Sequence, residues 1–438
     1  MTVQSLMQLQ TSRDGVICRR TFLRDVAASG VAVGALSWKD AVALQAEELR
    51  KRGMACILLF MTGGPSQFET FDPKPGTKTG GPTKSMPTSA PGIHIAEGWD
   101  NVAKAMKDIA LIRSMTNKEG AHPRAQYQLH TGYIPSGSVK YPSLGSLVAS
   151  ELGAPDFDLP HFVSIAGGGP LMNTANIGSG FLGMGVAPFV VADPLKMPNN
   201  VELPRSVSDG RFVRRMGVLQ ELEEEFSRSG GGPRVEDHKV LYQNAARMVR
   251  SPRLKAFDVS QETDQIRDRY GRTPFGQGCL LARRLVEQGV TFVEIGSFGW
   301  DTHNDNFNAV ARLRGSVDPA FGALVADLKE RGMLDKTLVI WMGEFGRTPT
   351  INAGRNGRDH FPRAFSVAMA GGGVKGGQVI GSTNAEGTDI ADRPVTVPDL
   401  FCSFCHALKI NPRKENISGL GRPIKIVDGG EAVKELFA

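Results

Sequence analysis

Cysteine is scarce in this chain of 438 residues: five, at positions 18, 56, 279, 402 and 405. So few exclude a disulfide-held scaffold, and Cys56 and Cys279 stand in apolar runs that read as core. Long hydrophobic runs are missing too. None reaches the roughly 18–20 residues of a membrane helix, so no membrane span is expected. Charge of one sign is not concentrated either. The net charge is +6, and no lysine/arginine-rich run or aromatic ladder offers a nucleic-acid footprint. The remaining composition, 41% hydrophobic and 22% charged, is that of an ordinary globular protein. The 52 glycines and 26 prolines fit a loop-rich enzyme better than a helical scaffold.

Residues 18–36 read CRRTFLRDVAASGVAVGAL. Paired arginines before a short, weakly apolar segment resemble a twin-arginine export signal, with a small-x-small cleavage site at Ala41-Val42-Ala43. Cys18 stands where Ser or Thr usually precedes the pair. The expectation is a leader and linker over 1–46, export in the folded state to the periplasm or cell envelope, and one α/β domain over 47–438.

The domain is organised around residues 291–349. The runs TFVEI and TLVIW read as buried parallel strands, with a helix of about Asp318 to Gly332 between them, a βαβ unit. ACILLFM (55–61), IALIR (109–113) and Ala364–Ala370 add further strands. In open α/β sheets ligands bind beyond the carboxyl ends of strands. Each strand here empties into chemistry at that edge. TFVEI leads to Trp300-Asp301-Thr302-His303-Asn304-Asp305, and TLVIW leads to Gly343-Glu344-Phe345-Gly346-Arg347. ACILLFM leads through Gly63-Gly64 to Glu69 and Asp72, a glycine turn that lacks the spacing of a phosphate-cradling loop. IALIR leads to His122 at a strand-to-helix turn; His130, two turns on, reads as a packed helix residue. Arg358-Asp359-His360 follows in a glycine-rich loop. Residues 199–271 are charged and amphipathic, a helical insertion over the sheet, with Glu221–Glu225 as a solvated face. An amphipathic helix covers 395–410, and Pro423–Val427 reads as a last edge strand. Cys402-Ser-Phe-Cys405-His406 matches a haem-attachment spacing, but it lies inside that helix, where packed or disulfide-bonded cysteines fit better.

Together GGPSQFETFDPKP, PFGQGCLLARRLVEQGVTFVEI, GWDTHND, GEFGRTP, GRDHFP and RPVTVPDL resemble the domain of unknown function 1501 family, over about Ala55–Leu408. That family is placed with the alkaline phosphatase/sulfatase superfamily. The resemblance implies an α/β three-layer sandwich with a central, mostly parallel sheet. It also implies one or two divalent ions at the carboxyl edge, zinc first, with manganese or calcium as alternatives. The superfamily attacks phosphate or sulfate esters with a Ser, Thr or formylglycine at a helix start ahead of a Thr-Gly pair. Thr131-Gly132 puts that slot at His122. This departure implies hydrolysis by a metal-activated water, with His122 as ligand, nucleophile or general base. By analogy Asp301, His303 and His360 hold one metal, with Asp305 as an alternative ligand, and Asp359 orients His360. Glu344, His122 and either Glu69 or Asp72 hold a second. Arg124 and Arg347 grip an anionic small-molecule or polysaccharide ester. The other reading is a non-catalytic, metal-stabilised binding or assembly protein of the cell envelope. No residue pattern names the substrate or the oligomeric state.

Overall fold

Alternation along the first strand sets the layering. In the computed structural model, which describes residues 53–168, 177–230 and 233–438, ACILLFMT forms β1 (Ala55–Thr62). Ala55, Ile57, Leu59 and Met61 enter one hydrophobic cluster, while Cys56, Leu58 and Phe60 enter another on the opposite face. A strand buried on both faces has to be central. Truncating Leu59, which is fully buried, to Ala would cost roughly 2–5 kcal/mol.

Eight more strands complete a nine-stranded sheet: β2 (Ile109–Thr116), β3 (Phe162–Ile165), β4 (Phe189–Val191), β5 (Phe292–Phe298), β6 (Thr337–Met342), β7 (Phe365–Ala370), β8 (Gln378–Ile380) and β9 (Val395–Thr396). The order is β8-β2-β7-β6-β1-β5-β3-β4, with β9 also on β2. Only β7 runs against its neighbours. The expected βαβ unit exists with one difference: β5 and β6 are parallel, but β1 lies between them. Thr62 is in register with Phe298, and Phe60 with Met342, so the three central strands end at one edge.

The helices are α1 (Asp100–Ala105), α2 (His122–Thr131), α3 (Leu144–Leu152), α4 (Asp209–Arg228), α5 (Pro233–Val249), α6 (Asp264–Tyr270), α7 (Pro274–Glu287), α8 (Asn306–Glu330) and α9 (Val397–Ala407). Val102 of α1, Leu281 of α7 and Leu324 of α8 share one face of the sheet. Leu129 of α2, Val148 of α3 and Phe404 of α9 share the other. The result is a three-layer α/β fold with a mostly parallel central sheet.

Helix α8 starts a dozen residues before the expected one. Asp318-Pro319 looks like an N-cap followed by a first-turn proline, yet it sits mid-helix. The Asp318 carboxylate caps a different helix instead, accepting the N–H groups of Asn101 and Val102 at the start of α1. The expected last edge strand is also different. Pro423–Lys425 pairs with Glu415–Ile417 in a separate hairpin, a local partner only a turn away that leaves the main sheet untouched. Cys402 and Cys405 are free thiols buried on α9. Burial pushes the Cys402 thiol up to about 11 and Cys405 higher still. The arginine pair of the expected leader lies outside the described residues, and among those described no helix is long and apolar enough to cross a membrane.

Candidate metal centre

The edge where β1, β5 and β6 end is closed by glycine. Gly63 has φ +120°, and a Cβ there would meet the Asp301 nitrogen at 2.3 Å. Only glycine lets the β1 turn lie this close to the chain leaving β5. A Cβ on Gly357 would likewise meet the His303 carbonyl oxygen at 1.9 Å. The 352–360 loop is thereby laid directly on the WDTHND segment, held by backbone bonds from Asp305 and Asn306 to the carbonyls of Arg355 and Asn356.

Four ligand-type atoms converge here. His303 Nε2 lies 3.0 Å from Asp301 Oδ1 and 3.0 Å from His360 Nε2. His360 Nε2 and His122 Nε2 each lie 3.3 Å from Asp301 Oδ1. The His122 contact is within reach of charge attraction but misaligned for a hydrogen bond, so this buried nitrogen has no hydrogen-bond partner. Among the described residues, His122, Asp301 and His360 form a group whose ligand atoms all lie within 4.8 Å of one another.

The far nitrogen of each imidazole is committed elsewhere. His122 Nδ1–H donates to Glu344 Oε1 at 2.7 Å, His303 Nδ1–H to Asp359 Oδ1 at 2.8 Å, and His360 Nδ1–H to the Gly120 carbonyl at 2.9 Å. These partners fix tautomers that leave all three Nε2 lone pairs pointing inward. Two such nitrogens 3.0 Å apart, on His303 and His360, form a contact that either a shared proton or a metal ion between them satisfies. A tetrahedral zinc with ligands at about 2.0–2.2 Å sets its ligand atoms about 3.3–3.6 Å apart, close to the separations of the three imidazoles from Asp301 Oδ1. The donor set fits a divalent metal.

The electrostatics agree at Asp301 and His360. Burial works against the Asp301 carboxylate, but the Arg347 guanidinium and then His122 and His303 outweigh it and hold its pKa down at about 2. Burial lowers His360, with the Arg347 charge helping, and so favours the neutral, ligating imidazole. Burial also acts downward on His122, but Glu344 and Asp301 lift it above its ordinary value. The side chains of His122, His303 and His360 are about a quarter exposed and that of Asp301 is 46% exposed, so the centre opens to solvent.

Not every expected ligand reaches the centre. Glu344, fully buried, accepts N–H bonds from Gly63, Gly64 and Gln126 besides His122. It stands behind His122 rather than beside it as a second-metal ligand. Glu69 is braced by Arg358, Asn306 and Thr83, and Asp72 by Thr383 and Lys74. These two carboxylates are spent on structure, so the expected second metal set is not assembled. Asp305 adopts φ +49° at the start of α8 and bonds Asn308. Arg347 is fully buried, and its guanidinium is used up on Asp301 and the carbonyls of Gly63, Gly64, Trp300 and Arg358. It cannot turn outward to grip a substrate. Arg124 is half-exposed and holds Glu119 through two bonds of 2.7 Å. Asp359 orients His303, not His360. Gln126 and the Gly120 carbonyl carried no signal in the sequence. Phe345, whose ring lies against His122 and His360, could have been suspected from its place beside Glu344.

Fold and site together define an α/β protein with a carboxylate–imidazole cluster at the carboxyl edge of its sheet, a group that could hold a metal ion. The chain belongs to the family described as protein of unknown function DUF1501, whose profile matches residues 54–437. No curated protein matches it in sequence. Among solved structures it is similar to the PsFucS1 sulfatase from Pseudoalteromonas sp. (14% identity, 84% of this chain and 70% of that one, TM-score 0.38). A protein in the alkaline phosphatase superfamily from Vibrio parahaemolyticus is also similar (14%, 82% and 66%, TM-score 0.37). So is the alkaline phosphatase from the Antarctic bacterium TAB5 (13%, 76% and 95%, TM-score 0.30).

Proposed function

We propose that the chain is an exported, metal-dependent hydrolase of phosphate or sulfate esters, using one divalent ion, zinc in the first instance, and water as the nucleophile. The observation that carries this reading is the facing pair of Nε2 lone pairs on His303 and His360 beside Asp301 Oδ1, with every Nδ1 proton held elsewhere. When bound, a divalent metal supplies Lewis acidity and lowers the pKa of water. The chain's own part is orientation and charge. Glu344, Asp359 and the Gly120 carbonyl hold three imidazoles in ligating tautomers, and Arg347 keeps Asp301 ionised. His122 takes the slot where the superfamily resemblance expects a hydroxyl, so a covalent ester intermediate on that residue is not part of the reading. The substrate class, a small-molecule or polysaccharide ester, rests on that resemblance and on the solvent-open face of Asp301. Residues 1–46 serve as the export leader.

A second reading has one observation in its favour. Three imidazoles and a carboxylate are enough ligand groups to fill a tetrahedral zinc site without water, and Arg347 is not available for an anion. A metal-stabilised binding protein would look like this. Metal content by mass spectrometry, beside a panel of phosphate and sulfate esters, separates the two. The hydrolase reading expects about one equivalent of metal, lost in His303→Ala and His360→Ala together with ester turnover. Metal without turnover on any ester supports the binding reading, and no metal after reloading sinks both.

A further inference from the structure

The hairpin of α4 and α5 carries a surface that the metal centre leaves unexplained. Helix α4 has 20 residues and none of them is buried. One face looks toward α5, where Glu223 accepts from His238 Nδ1. A different face carries Arg211, Arg215, Val218, Leu222, Glu225 and Ser229. Their spacing alternates four and three, the seam of a helix that pairs with another helix. Val218 is 57% exposed and Leu222 59%, and Phe226 beside them is 61% exposed.

Charge is divided along this helix. Between Asp209 in the first turn and Arg228 in the last, which suit the macrodipole, Arg211, Arg214 and Arg215 occupy the amino half and Glu221, Glu224 and Glu225 the carboxyl half. A neighbour lying antiparallel complements this division, because it sets acid beside the basic half and base beside the acidic half.

The helix itself is such a neighbour. We propose that α4 pairs with the α4 of a second copy of this chain, antiparallel, about a twofold axis passing between Val218 and Leu222. In that register apolar meets apolar at the centre and opposite charges meet beside it. Val218 faces the second copy's Leu222, Arg215 faces its Glu225, and Arg211 faces its Ser229. Arg214 falls against Phe226, a guanidinium over an aromatic ring. The apolar centre is shielded by charge at both ends, as in an isologous interface. Two 20-residue helices give a contact about 30 Å long.

Sedimentation equilibrium of the purified chain, from low to high concentration and at two salt concentrations, tests the pairing. A dimer is expected, weakened by salt because the charged ends are exposed. Leu222→Asp is expected to give a monomer with unchanged far-UV circular dichroism. Arg215→Glu and Glu225→Arg, each alone, turn attraction into repulsion twice over by symmetry and are expected to weaken the dimer by roughly tenfold or more. The combined variant restores the opposite pairs and is expected to dimerise as the wild type does. In a Val218→Cys/Leu222→Cys variant the two sulfurs should cross-link between copies under mild oxidation. A monomer at every concentration overturns the proposal. So does a dimer indifferent to Leu222→Asp, or a combined charge variant that fails to recover. A monomer that binds anionic vesicles through Leu222 assigns the face to a lipid surface and overturns it equally.

Discussion

Glu344→Gln probes how the centre is built, because the substitution keeps the shape of the side chain and removes only its charge and half its acceptor capacity. The Glu344 carboxylate accepts from two backbone N–H groups, the Gln126 amide and His122 Nδ1, all in a fully buried site. A glutamine amide has one acceptor oxygen. Its NH2 must therefore face either the Gly63 and Gly64 N–H groups or the Gln126 and His122 donors. Either choice leaves buried donors opposed, at a cost of about 1–3 kcal/mol to the metal-free protein. The second effect falls on the metal. With no anion behind it, His122 is a poorer ligand and its tautomer is released. Outer partners of ligating histidines are worth about 10–100-fold in metal affinity, which at about 1.4 kcal/mol per tenfold is roughly 1.4–2.8 kcal/mol. Competition with a fluorescent chelator gives the affinity, and urea unfolding of the metal-free protein gives the stability. If Glu344→Gln binds metal within twofold of wild type while His303→Ala does not bind at all, Glu344 does not orient a ligand and the reasoning fails.

Four further outcomes follow from the structure. Gly63→Ala should lower stability by roughly 1–3 kcal/mol through its positive φ and its clash with the Asp301 backbone. It should also cut metal stoichiometry, and thermal unfolding with full metal occupancy would show that the turn has room to spare. Arg358→Ala strips the fully buried Glu69 of its cation and should cost about 3–5 kcal/mol in urea unfolding. Glu69→Gln should leave metal content intact, and its loss would return Glu69 to the ligand set. His130 is buried against Glu294, and although burial pushes its pKa down, the Glu294 charge and hydrogen bond lift it above the ordinary value. A raised folded value means the stabilisation is complete below about pH 6.5 and is lost as pH rises through the folded value. Measured from pH 6 to 9, the stability gap between wild type and Glu294→Gln should therefore be widest at the acid end, and a pH-independent gap would refute the pairing.

The sequence by itself determined the layers and the location of the site. Alternation is local, so ACILLFMT could be read as a strand buried on both sides, and the polar segments after TFVEI and TLVIW could be assigned to the carboxyl edge without knowing the strand order. Asp301, His303 and His360 were legible for the same reason: they leave their strands within a few residues of that edge. Tertiary structure alone decided which acids do what. Glu344 meets His122 across 222 positions and Glu69 meets Arg358 across 289, so no window of sequence contains both partners. Arg347 looked like an anion clamp because it lies next to the site. Its reach and its five N–H donors let it turn inward instead, where carbonyls brought together by three strand ends needed a donor. Asp318 was placed at the start of its own helix and instead caps another. A side chain's direction, and the competition among buried groups for partners, arise only when distant segments pack. That is why the side chains that converge at the sheet edge were readable and the partners that hold them in place were not.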